Sequence, residues 1–232
     1  MIGSERRRTP YRTLVGPIAA LVAALAVLGC TVDGEAVAGS PDLSSKSVSP
    51  DDFPGGSATQ VPTAAVPAAL ADLTGHPLHG TVVPPDCLPA AVSADGAVVL
   101  VGADPATSTA TFTSAVVDSS QTLRELTDQA RRCPRYVVGS APTAFSTVTT
   151  EVRDAPQQPR VSTAALTRLI ATGGLDTSGS SSLSTSTTTL LAQRNDLRVI
   201  VEYRHQGAGP MSATATEQLD ELFDKAVEAA FP

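Results

Sequence analysis

Between Thr13 and Leu28 the chain carries no charge, and Leu, Val and Ala dominate the stretch until Gly29-Cys30 closes it. Beyond it the apolar positions come in shorter runs. GAVVLVGA at 96–103 and TATFTSAVVD at 109–118 predict two strands, and Asp104-Pro105 between them predicts the turn of a hairpin. In LRVIVEYR at 197–204, Leu197, Val199, Val201 and Tyr203 fall on one side, which predicts a half-buried strand.

Two segments change period. Thr122-Leu-Arg-Glu125 has capping-box spacing and opens a helix with Leu123, Leu126 and Ala130 on one face. That helix runs to Arg131-Arg132-Cys133, before Pro134. The clearest helix follows Gly207-Ala-Gly-Pro210. Thr214-Ala-Thr-Glu217 again has capping-box spacing, and Leu219, Leu222, Phe223, Ala226, Val227 and Ala230 form one stripe. Asp220, Glu221, Asp224, Lys225 and Glu228 lie on the opposite face, so the stripe is read as core packing.

Weaker patterns fill the gaps. Residues 67–73 suit a short helix that Gly75 stops, and 80–83, 136–138 and 145–152 suit strands. AALTRLIA at 164–171 fits helix or strand, and SGSSSLSTSTTT at 178–189 fits a loop running into a Thr-rich strand. Together these predict a single α+β domain over 66–232, an antiparallel β-sheet packed against two or three helices. Ahead of it, 30–65 shows no apolar period and is dense in Ser, Gly, Pro and Asp. Such composition predicts a disordered tether, because it buries too little surface to offset the entropy of ordering.

The N-terminus predicts an address. Arg6, Arg7, Arg8 and Arg12 precede the apolar run, and a small residue closes it, which is the layout of a secretory signal peptide over 1–29. The run has 16 residues and is interrupted by Gly16 and Pro17. A membrane-crossing helix needs roughly 20 apolar residues. Val27-Leu28-Gly29-Cys30 resembles the box of a bacterial lipoprotein signal. In that family the Cys thiol is acylated and becomes the mature N-terminus. The resemblance therefore implies lipidation at Cys30 and a membrane partner reached through the lipid. Two acyl chains, at about 0.8 kcal/mol per buried CH₂, hold a protein on a bilayer durably where one binds reversibly.

Cysteine arithmetic fits that address. With Cys30 acylated, Cys87 and Cys133 remain as an even pair in an exported chain, where disulfides persist. A disulfide between them is expected, the alternative being two free thiols. Charge then removes one function class. Without residues 1–29 the chain has 12 basic and 22 acidic residues, net −10. It offers no basic cluster to replace phosphate counterions, so nucleic acid is not an expected partner.

The residues also argue against an enzyme. There is no G-x-S-x-G, no P-loop and no dinucleotide fingerprint. His76, His79 and His205 offer no triad pattern. His76-Pro-Leu-His79 has spacing that a metal could use, but no Asp or Cys ligand stands beside it, so no metal is expected. Asp176-Thr-Ser-Gly179 reads as a turn. No cofactor is expected either. With no Trp and eight Phe and Tyr in total, sugar binding by aromatic stacking is not expected.

Taken together, the lipobox, the tether, VVPPDCLP at 82–89, RRCP at 131–134 and the closing helix resemble a family of mycobacterial and related actinobacterial lipoproteins. These carry a domain of unknown function similar to the extracellular sensor domain of a mycobacterial Ser/Thr kinase. The resemblance covers about 66–232. It implies a non-catalytic ligand-binding or sensor-like module on the outer face of the cytoplasmic membrane, with an unknown envelope ligand. The alternative is an envelope carrier of lipid or glycolipid, which needs an apolar cavity of several hundred Å³.

Overall fold

The computed structural model describes residues 42–140, 144–174 and 183–232. The segment 1–29, Cys30, residues 30–41 and the turn at Asp176 lie outside the described residues. Among the described residues nine antiparallel strands form one sheet: β1 (Thr59–Gln60), β2 (Val82–Val83), β3 (Val98–Ala103), β4 (Ala110–Asp118), β5 (Arg135–Ser140), β6 (Ala144–Arg153), β7 (Ser162–Gly174), β8 (Leu183–Arg194) and β9 (Leu197–Gln206). Their order is β1-β3-β4-β9-β8-β7-β6-β5-β2. Among the described residues three α-helices flank the sheet: α1 (Val66–Thr74), α2 (Leu123–Arg132) and α3 (Ala213–Ala230). The architecture is the expected α+β one, with helices on both faces.

Alternation along each strand divides the core. Even positions of β3, β4 and β8 and odd positions of β7 and β9 face α3, where Phe112, Val116, Leu190, Val199 and Val201 meet Leu219, Leu222, Phe223 and Val227. The opposite parity faces α1 and α2, where Val99, Ala115, Val117, Leu191 and Ile200 meet Val66, Leu70, Leu73 and Leu123. A strand covered on both sides reads as continuous apolar residues, which explains VVLV and VIV. The ambiguous segment at 164–171 is the middle of the 13-residue β7. Ala164, Ala165 and Leu166 are consecutive and all buried, a run that helical and strand periods both accommodate.

Three expectations change. First, the tether does not extend to 65, nor does the domain begin at 66. Leu43, Val48 and Phe53 are buried against the α3-side core, and Thr59 and Gln60 pair with β3. Gly102 makes room for this segment, since a Cβ there would meet the Phe53 ring at 2.8 Å. The Ser, Pro and Asp residues that suggested disorder form short 3-10 turns instead. Ser49 and Asp52 make a reciprocal capping box, with Pro50 at the first position. Short turns with one apolar plug each leave no period to read.

Second, β9 is buried on both faces rather than one. Arg198 and Glu202, on the supposedly wet side, are each 1% exposed. Third, the cap of α3 is Ser212, whose hydroxyl accepts from the Ala215 amide, and not Thr214. The capping box of α2 forms as its spacing predicts, with Thr122 and Glu125 bonding each other's amides. Gly75 ends α1 at φ 76°, a left-handed conformation that favours glycine.

Cys87 and Cys133 are bonded, with Cα atoms 5.5 Å apart. The bridge ties the 3-10 turn at Pro85–Cys87 to the C-terminus of α2. Beside it the Gln129 side-chain amide donates to the Leu88 carbonyl at 2.7 Å. Val82, Tyr136 and Val148 complete a small apolar cluster around the sulfurs.

Candidate ligand groove

A nine-stranded sheet with strands about 4.8 Å apart is roughly 40 Å wide, whereas one helix is about 10 Å across. On the face that α3 covers there is no second helix among the described residues. The solvent-facing rows of β6, β7 and β8 therefore stay open beside it. They form the floor of a groove of about 810 Å³. Its walls are the loop segment Asp154-Ala-Pro156 on one side and Ala208-Gly-Pro-Met211 with the first turns of α3 on the other.

Strand register sets the floor in two rows. Glu151, Thr167 and Thr188 are cross-strand neighbours, and so are Thr149, Leu169 and Ser186. Ala165, Leu190 and Leu219 form the apolar end, where the groove meets the core. Four hydroxyls thus lie on one surface, from residues whose side chains point the same way because the strand period is two. The Ser186 hydroxyl donates to the Gly207 carbonyl at 2.7 Å and braces the wall. Ser186 also neighbours His205 across β8 and β9, but its bond goes to Gly207 rather than to the imidazole.

Charge is uneven around the groove. Arg153 is paired with Glu151 at 3.0 Å. Asp154 and Asp220, in contrast, have no cationic partner among the described residues. Burial, followed by repulsion from Asp224, holds the Asp220 carboxyl above its ordinary pKa. Asp224 in turn accepts from the Gln158 side chain, which fastens the 154–161 loop to α3.

Apart from Asp104, which accepts from the Tyr203 hydroxyl, the buried charges lie on the other face and serve α1 and α2. Arg204 bridges Asp72 on α1 at 2.7 Å and Glu202 at 3.2 Å. Burial works against its cation, but the two carboxylates together hold its pKa above the ordinary value. Burial pushes the Glu202 carboxyl up, opposed by Arg204, by Arg168 and by the Thr189 hydroxyl that donates to it. Arg168 donates to the Leu73 and Thr74 carbonyls at 2.7 and 3.0 Å, satisfying acceptors that the end of α1 leaves open. Arg198 bonds the Gln193 side chain and the Gln121 carbonyl, and burial pushes its pKa down to about 10. These groups position helices, and of them only Arg168 borders the groove.

The residues singled out for chemistry fall apart in space. His76 bonds the Pro89 carbonyl at 2.6 Å, His79 is exposed, and His205 stacks on Tyr203. No group of three or more potential metal ligands occurs among the described residues. Sequence reasoning missed Thr149, Thr167, Ser186, Thr188 and Asp220. The available signal was the Ser/Thr run at 184–189, which puts Ser186 and Thr188 on one face of a strand but equally puts Thr187 and Thr189 on the other.

No protein-family model matches the chain, and no curated protein matches it. Among solved structures it is similar to an uncharacterised protein of Mycobacterium smegmatis, the Rv0999 ortholog. They share 18% identity over 75% of this chain and 85% of that one, with a TM-score of 0.43. It is also similar to the extracellular domain of PknH from Mycobacterium tuberculosis. There the identity is 13% over 73% of this chain and 98% of that one, with a TM-score of 0.38. The resemblance to a mycobacterial kinase's extracellular domain thus recurs as a likeness in the course of the chain, and it carries no argument about ligand or activity.

Proposed function

We propose that this chain is an exported lipoprotein whose folded domain is a non-catalytic ligand-binding or sensor-like module. It is held on the outer face of the cytoplasmic membrane by a lipid on Cys30. The observation that carries the binding reading is the groove beside α3, a formed concavity with convergent polar groups. The Cys87–Cys133 bond is consistent with export, because disulfides persist in oxidising compartments. Among the described residues no helix is long and apolar enough to cross a membrane. The non-catalytic reading rests on Ser186, whose hydroxyl is committed to a carbonyl rather than to a base. The lipid-carrier alternative is disfavoured by a floor that carries Thr149, Glu151, Thr167, Ser186 and Thr188.

Two measurements test this. Cys30→Ala should leave a protein that is uncut or shed and no longer partitions into detergent. Unchanged partitioning with an uncleaved N-terminus would mean a spanning anchor instead. For the groove, Ser186→Trp fills the floor from a half-exposed position. Mass spectrometry of small molecules that copurify from the native envelope should show a species on the unaltered chain that the variant loses. The same species retained on both would place binding elsewhere.

A further inference from the structure

The groove's own chemistry restricts what it takes. Its floor presents hydroxyls from Thr149, Thr167 and Thr188, each able to donate and accept, and from Ser186, whose O–H already donates to the Gly207 carbonyl and which is left as an acceptor. Its wall presents Asp154 and Asp220, which have no cationic partner among the described residues, while the one wall arginine, Arg153, is already neutralised by Glu151. Counting Glu151, Asp154 and Asp220 against Arg153, the groove side chains carry net −2. Arg168 also borders the groove, but its guanidinium bonds the end of α1 on the far side of the sheet. No Phe, Tyr or Trp lines the groove and its one aromatic ring, His205, already packs on Tyr203, so recognition there is polar and not by stacking.

Deepening the groove reading on which it rests, we infer that the ligand is a hydroxylated amine of the amino-sugar class. Its hydroxyls lie along the threonine rows and its ammonium meets Asp220. A carboxylate already partly out of water gains most from a cation, since a charge-assisted hydrogen bond replaces hydration it has lost. The neutral, N-acylated form of the same sugar keeps the hydroxyl contacts but buries Asp220 without a partner. An anionic ligand meets repulsion from both wall carboxylates.

The test uses the full chain in detergent and measures binding calorimetrically. The probes are a β-1,4 glucosamine tetramer, its fully N-acetylated counterpart and tetralysine. The glucosamine tetramer should bind at least about tenfold more tightly than the acetylated one, the scale of one charge-assisted contact. It should also outbind tetralysine, which has the amines without the hydroxyls. Asp220→Asn should remove the preference for the free amine, whereas Glu228→Gln, on the same helix but outside the groove, should keep it. Equal binding of the two saccharides, no binding of either, or an unchanged preference in Asp220→Asn overturns the charge assignment. Tetralysine binding as tightly as the glucosamine tetramer overturns the hydroxyl assignment. The groove reading fails on a different result, the native species surviving Ser186→Trp.

Discussion

Phe223→Ala should cost about 3–5 kcal/mol, the usual range for emptying a buried Phe site. The side chain is 0% exposed and lies where α3 crosses the sheet, packed with Phe112, Val199 and Val201. Domains are stable by only about 5–15 kcal/mol, so the variant should be close to unfolding at growth temperature. Its urea midpoint should fall far below that of Phe231→Ala, because Phe231 is only half-buried and has Arg194 over its ring at 5.0 Å. The comparison also separates the two functional readings. If α3 roofed a hollow for lipid, truncating Phe223 would enlarge a space already there and cost little. A mild effect with altered lipid binding would therefore reinstate the carrier.

Replacing both Cys87 and Cys133 with Ala should cost roughly 3–4 kcal/mol in the chain-entropy model, for a loop closed over a separation of 46 residues. Using the double variant avoids a lone reactive thiol. The loss should appear as a lower denaturation midpoint, and as amide exchange that rises first around Val82, Tyr136 and Val148, the residues packed on the bridge. Ligand uptake at low temperature should be unchanged, since bridge and groove sit against opposite faces of the sheet. An unchanged midpoint would mean that the α2 capping box and the Gln129 contact hold that corner without help.

Much of the scaffold was legible from the chain alone. The hairpin of β3 and β4, both firm helices, the pairing of Cys87 with Cys133 and the inward stripe of α3 each rest on local order: a period, a cap, a parity of cysteines. Such signals survive because neighbouring residues must agree with the element they form. The groove and the buried charges rest on no such order. Thr149, Thr167 and Ser186 come together only through the register of three strands, and Asp220 faces them only because α3 covers part of a wider sheet.

The same reason accounts for the misreadings. LRVIVEYR has one apolar side and one mixed side, and only the arrival of α1 and the lead-in to α2 turns Arg198 and Glu202 into interior residues with assigned partners. Residues 42–60 carry single apolar plugs between turns, and whether such a segment is ordered depends on a receiving surface, here the space left by Gly102. Periodicity thus determined the elements of this protein and the faces of its best helix. The burial of its charges, the reach of its domain and the position of the groove were decided by long-range packing, which brings together residues that share no local pattern.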